Sequence, residues 1–221
     1  SLRLLTSLVY KSLLSVKDAG NRYELHEVLR QFAAEQLAAL PAERAAVDAR
    51  HSDYYLNFVA VREYRLSRNQ PREAAAEIQG EIDNVRQAWA WAAHQGRLPT
   101  LAATLAALYR FYGFTGVVVE GEQSLHLAAE CIRSRAAPQT VEAQHLLSTV
   151  LALRAHLLVL YASHPQVIPL AQEAIALGEA SGAVVGQAMG YYAWGYALAR
   201  QSRCSEARAC AEQALQLAQR H

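Results

Sequence analysis

Lysine is almost missing from this chain. Of its 21 basic residues only Lys11 and Lys17 are lysines; the rest are arginines interspersed with 20 acidic residues, and the formal net charge is +1. No basic stripe is available to follow a phosphate backbone, so nucleic acid is not an expected direct partner. Cysteine is scarce and odd in number. Cys131, Cys204 and Cys210 form no C-x-x-C pair, which argues against a secreted disulfide framework and fits a reducing cytoplasm. Cys204 and Cys210 read as small packing residues rather than nucleophiles. No uncharged apolar run of about 18 residues occurs, and no basic segment leads into an apolar one, so neither a membrane span nor a signal peptide is expected. None of the histidines has H-x-x-x-H spacing, and His145 and His156 are too far apart on one helix to share a metal, so no metal site is expected. A G-x-x-x-x-G-K-[ST] phosphate loop is also missing. With no acid, base and nucleophile to nominate together, this chain is not expected to be an enzyme or to hydrolyse ATP.

Proline and glycine are few, at 6 and 11 residues, in a chain of 221 residues that is 52% apolar. That composition can bury one or two sizeable cores and excludes general disorder. Alanine and leucine dominate, and the long periodic segments have helical length, so nearly everything after residue 26 is expected to be helix. At the start, "LRLLTSLVYKSLL" predicts a helix, and "SLLSVKDAGNRYEL" a hairpin turning near Asp18, Ala19 and Gly20. "HEVLRQFAAEQLAAL" predicts a second helix that ends before Pro41. Helix, wing and helix in that order form the C-terminal part of a winged-helix domain, over residues 1–40. The chain begins at Ser1 in mid-pattern and ends within "EQALQLAQRH" without a helix stop signal, as an excerpt from a longer protein would. Residues 41–98 read as a helical connecting region. Glu43 to Leu66 and Arg72 to Gln95 are predicted as two long helices joined through "SRNQP", with Pro71 well placed near the second start. Ile82, Val85, Trp89 and Ala92 or Ala93 share an apolar face, and the indoles of Trp89 and Trp91 suit the core better than a ligand.

One joint stands out. Tyr23 and Leu25 alternate with Arg22 and Glu24 as a strand, and the chain then passes through Leu25-His26-Glu27 directly into helix. Taken with "LVYKSLL", "RYELHEVLRQFAAEQL" and "EIDNVRQAWAWAAHQG", this stretch resembles the region that follows the nucleotide-binding core in STAND-type signalling ATPases. These are NB-ARC-like bacterial regulators and the immune receptors related to them. In that family a Met-His-Asp triplet occupies the joint, and its histidine reaches the β-phosphate of ADP in the resting state. Here two of the three positions are substituted. The resemblance implies that His26 is the nucleotide-sensing residue of the full-length protein. It implies that Leu25 anchors the joint and that Glu27 opens the helix. It also places ADP or ATP with Mg in an upstream domain, no cofactor being expected in this fragment.

From residue 99 to 221 the chain repeats itself. "VEGEQSLHLAAECIR" at 119–133, "QVIPLAQEAIALGEA" at 166–180 and "SEARACAEQALQLAQ" at 205–219 align, with Ala128, Ala174 and Ala214 in register. The last unit resembles the tetratricopeptide pattern, with Tyr191, Trp194, Gly195 and Leu198 on one helix and Ala207, Ala211 and Ala214 on the next. Ser202 replaces the usual turn glycine, and Gln219 the closing proline. The expected fold is all-α: a right-handed helical-repeat, tetratricopeptide-like solenoid preceded by the partial winged-helix domain and its small β-hairpin. Gly195 and Ala214 would let neighbouring helices approach closely. First helices of such pairs line a concave side, which nominates Arg110, Phe114, His156, Tyr192, Tyr196 and Arg200 as a partner-binding groove for a peptide carboxylate or an aromatic side chain. The alternative keeps Tyr192 and Tyr196 buried between helices. The run "YRFYGF", Tyr109 to Phe114, is either a small-ligand cage or core.

Two functions follow. In the first, the chain is the sensor and protein-interaction arm of a STAND ATPase involved in transcription regulation. It would take a protein, peptide or small inducer on its repeats and couple to the upstream nucleotide-binding domain of the same chain, with oligomerisation open to the full-length protein. In the second, it is a free-standing helical-repeat scaffold without nucleotide coupling. Both readings place it in the cytoplasm, away from membrane.

Overall fold

A computed structural model describes residues 2–17, 22–135, 140–161 and 165–220. They are mostly helical, with one small two-stranded antiparallel sheet. The chain divides into two units, Ser1–Ala49 and Arg50–His221.

In the first unit α1 (Leu2–Tyr10) leads to β1 (Leu14–Lys17), β2 (Arg22–Leu25) and α2 (Glu27–Ala38). The two strands pair antiparallel, with Leu14 opposite Leu25 and Val16 opposite Tyr23. This register puts the apolar residues of both strands across from each other. The turn expected near Asp18, Ala19 and Gly20 lies outside the described residues. α1 packs on β1, whereas α2 buries no residue fully and leaves Val28 and Phe32 exposed. α3 (Pro41–Ala60) spans the division between the units.

The second unit holds the core. The C-terminal half of α3 buries Leu56 and Val59, and the Ser52 hydroxyl there donates to the Ala88 carbonyl at 3.0 Å. Next come a π-helical turn at Arg65–Asn69, α4 (Pro71–Gly80) and α5 (Ile82–Gln95). Two long helices were expected over this region, and both are interrupted. The first ends at Ala60, where a turn at Val61 and Arg62 and a short helical step at Glu63 and Tyr64 lead into the π-helix. There Arg62 lies over the Phe58 ring at 3.5 Å and donates to the Phe58 carbonyl, drawing off an acceptor the helix would otherwise use. The second breaks at Glu81 (φ −117°, ψ 14°), where Gly80, a weak helix former, ends α4. Trp89 is buried, and its indole N–H donates to the Ser124 carbonyl at 2.9 Å; Trp91 is half-buried.

Six further helices follow: α6 (Leu98–Thr115), α7 (Val118–Ser134), α8 (Val141–Tyr161), α9 (Val167–Ser181), α10 (Val184–Arg200) and α11 (Cys204–Gln219). Each of the three self-similar stretches is one helix, α7, α9 or α11. Neighbours in sequence pack together from α7 to α11, and α6, α8 and α10 also meet in succession. Left-handed glycines, Gly116 and Gly182, end α6 and α9, a conformation that a Cβ would disfavour. Close approach is bought with small residues. Any side chain at Gly186 on α10 would strike Ser148 of α8, whose hydroxyl donates to the Ala174 carbonyl of α9 at 2.6 Å. A Cβ at Gly195 would meet the Ala207 carbonyl and Cys210 Cβ at 3.1 Å. Ala128 and Ala174 are fully buried, while Ala214 on α11 is half-buried.

Over Val141–Leu160, α8 is long and apolar enough to cross a membrane by length and composition alone. Most of that stretch is buried in the fold, and Arg154 within it pairs with Glu122 of α7 at 2.6 Å. It is a core helix of the second unit.

Candidate functional site

The helices α6, α8 and α10 place three side chains in a row. The Tyr109 hydroxyl lies 2.7 Å from His156 Nδ1, and the Tyr192 ring stands 5.2 Å from the imidazole, centroid to centroid. Burial pushes the Tyr109 phenol up to about 12 and the His156 imidazole below its usual range. Both shifts favour the neutral forms. A phenol O–H that donates to Nδ1 of a neutral imidazole satisfies the pair without a buried charge.

N-terminal to this row the same three helices enclose an apolar cleft of about 710 Å³. Leu98, Ala102, Ala106 and Tyr109 line it from α6, Val141, His145 and Leu146 from α8, and Val185 and Met189 from α10. Arg110 and Glu142 stand at its polar margin.

The nominated groove residues divide between this region and its surroundings. Arg110 lines the cleft, but its guanidinium donates to Glu63 at 3.0 Å, so its charge is already matched. His156 and Tyr192 belong to the aromatic row. Tyr192 and Tyr196 are 46% and 40% exposed, and Phe114 is exposed on α6. Tyr192, Tyr196 and Arg200 follow one another at helical spacing along one face of α10. Arg200 lines a separate, small cleft with Val159, Val167 and Ala197. Within "YRFYGF", Phe111 and Tyr112 are core, while Tyr109 and Phe114 are not fully buried. Sequence reading missed Glu63, which neutralises Arg110 from 47 residues away, and Glu142. Nothing local in the sequence signals the first. The second was legible as an acidic residue in the first turn of α8.

His26 lies elsewhere, in the first unit. It is the N-cap of α2 (φ −57°, ψ 140°); its backbone carbonyl accepts from the Arg30 N–H at 2.9 Å, and its side chain makes no capping bond. The imidazole borders a cleft of about 640 Å³ together with Leu14, Glu24, Leu25 and Glu27. Glu27 opens α2, and hydrogen bonds from Arg30 and Gln31 hold its carboxyl below the usual carboxylate range. Leu25 is half-buried. Around His26 one imidazole N–H and the free backbone N–H groups of the first turn could face a phosphate, while Glu24 and Glu27 add negative charge. The described residues around His26 do not form a phosphate cradle. Among the described residues no three His, Cys, Asp or Glu side chains group as a metal site would require.

The chain is 38% identical over 105 residues to proteins named "Putative HTH-type transcriptional regulator" from Mycobacterium bovis and from two strains of Mycobacterium tuberculosis. The shared stretch is 47% of this chain and 12% of those proteins. No protein-family profile matches the chain, and no solved structure does.

Proposed function

We propose that this chain is the sensor and protein-interaction arm of a larger regulatory protein, and that the side formed by α6, α8 and α10 receives an inducer or partner. One observation carries the reading. Three alternate helices, α6, α8 and α10, line an apolar cleft of about 710 Å³, and its lining residue Tyr109 begins a row that His156 and Tyr192 continue beyond the cleft. That size falls in the range of about 300–1,000 Å³ common for small-molecule sites, which are likewise mostly apolar with few polar groups. The relatives named as transcriptional regulators support a role in regulating transcription. The alignment of α7, α9 and α11 in sequence supports a tetratricopeptide-like array over residues 99–221, with residues 41–98 connecting it to a partial winged helix at 1–40.

The resemblance to STAND ATPases adds a finer proposal: His26 senses nucleotide that other parts of the full-length protein hold, ADP or ATP with Mg. Its exposure beside the start of α2 leaves the imidazole free to make one such contact. In this reading the fragment is a switch component in the cytoplasm and not itself an enzyme. A free-standing scaffold without nucleotide coupling is the second reading, supported by the same helical surface.

Transcript profiling of cells carrying the full-length gene tests both. Tyr192→Ala with Tyr196→Ala should abolish condition-dependent changes in the regulated transcripts while the purified chain keeps its melting temperature, because both rings are partly solvent-exposed. His26→Ala should raise basal transcription if the nucleotide link holds. A normal response from the double variant ends the sensor reading of this surface, and an unchanged basal level in the His26 variant removes the nucleotide link alone.

A further inference from the structure

The electrostatics of the cleft run opposite to what its arginine suggests. Arg110 donates to Glu63 at 3.0 Å, and Arg97, next to the lining residue Leu98, pairs with Asp53 at 2.7 Å. Both of these cations are therefore matched. Glu142 has no ion pair among the described residues, and it lines the cleft from the exposed first turn of α8. The charge left over at the cleft is negative. An anionic ligand would have to draw Arg110 away from Glu63, and it would approach Glu142 against repulsion. A neutral ligand would leave Glu142 unused. Between Arg110 and Glu142 at the margin the walls are aliphatic apart from Tyr109, His145, Thr149 and Met189, and the Tyr109 ring face and the polarisable Met189 sulfur also favour a cation or an aromatic body.

We propose that the cleft between α6, α8 and α10 binds a small amphipathic cation, its apolar or aromatic body against Leu98, Ala106 and Met189 and its positive end at Glu142. The inference rests on the reading of this side as the receiving surface and narrows it to one ligand class.

Two xanthene dyes of similar body and opposite charge test it on the 221-residue chain by fluorescence anisotropy: the cation rhodamine 6G and the anion fluorescein. Rhodamine 6G should bind at least about tenfold more tightly than fluorescein, the asymmetry expected when one like charge is avoided and one opposite charge engaged. Glu142→Gln should weaken rhodamine 6G about fivefold, as for one solvent-exposed charge pair. Ala106→Phe, which places a ring in the cleft, should remove most rhodamine 6G binding. If Ala106→Phe disturbs folding, as thermal melting would show, Glu142→Gln decides, since that side chain is exposed. No rhodamine 6G binding, equal affinity for the two dyes, or insensitivity to Glu142→Gln overturns the proposal. Fluorescein binding more tightly, and losing that binding in Ala106→Phe, would overturn the charge class while keeping the cleft as a ligand site. The sensor reading fails separately, on the transcript response of the Tyr192 and Tyr196 variant.

Discussion

Burial holds the imidazole of His156 neutral, with Tyr109 of α6 at its Nδ1 and Tyr192 of α10 across its ring. A folded value below the unfolded one, near 6.5, means that between the two the unfolded chain binds a proton the folded chain refuses. Stability from this group is fully present above the unfolded value and falls as pH drops into that window. Melting curves should show this as a difference between proteins. From about pH 7.5 to about pH 5 the wild-type chain should lose more melting temperature than His156→Gln, which cannot titrate and keeps a hydrogen-bonding partner for Tyr109. Parallel curves would show that His156 makes no such contribution. The sequence could nominate His156 from helical register alone. It could not reveal that the Arg110 chosen beside it is spent on Glu63, because the pair joins residues 47 apart in sequence.

Helix ends were legible where a residue type dictates backbone geometry. Gly116 and Gly182 close α6 and α9 with φ of +74° and +73°, and Pro71 starts α4. The strand-to-helix joint at Leu25-His26-Glu27 and the alignment of α7, α9 and α11 were also within reach, since alternation and periodicity are local. The break at Glu81 was not, because "EIQGEIDN" keeps helical periodicity through a glycine that a helix tolerates at a cost of about 1 kcal/mol. After α10 the local rule is broken: Ser202, where a turn glycine is usual, has φ +61°. The Ser202 and Arg203 N–H groups donate to the Ala199 and Leu198 carbonyls at 3.0 Å, so the turn is made despite its Cβ. A serine held left-handed gives up roughly 1 kcal/mol relative to glycine, partly offset by the greater freedom of glycine in the unfolded chain. Ser202→Gly should therefore stabilise the chain by about 0.5–1 kcal/mol, raising the melting temperature by about 1–4 °C. A lower melting temperature would mean that the serine side chain contributes more than its backbone costs.

Across the whole chain, stabilising burial is unevenly shared. Among the described residues the core cluster runs from Leu56 to Ala197 without a member in the first unit. In that unit α2 buries nothing fully, and Leu4, Val28 and Phe32 are exposed apolar side chains. A segment of about 40 residues that buries so little cannot offset the entropy of ordering its backbone, which costs about 1–2 kcal/mol per residue. By contrast, α8 alone buries Leu147, Val150, Leu151 and Leu157, each side chain contributing about 1.5–3 kcal/mol relative to exposure. Cutting the chain before Pro41, which keeps α3 whole, should separate these behaviours. The 41–221 fragment is expected to melt cooperatively within a few degrees of the full chain, with a helical circular-dichroism spectrum. The 1–40 fragment should show no cooperative transition, and its amides should exchange with solvent at nearly unprotected rates. A protected, cooperatively melting 1–40 fragment would show that the hairpin and α1 hold that unit together by themselves. Loss of the transition from 41–221 would instead show that the helical core draws stability from the first forty residues.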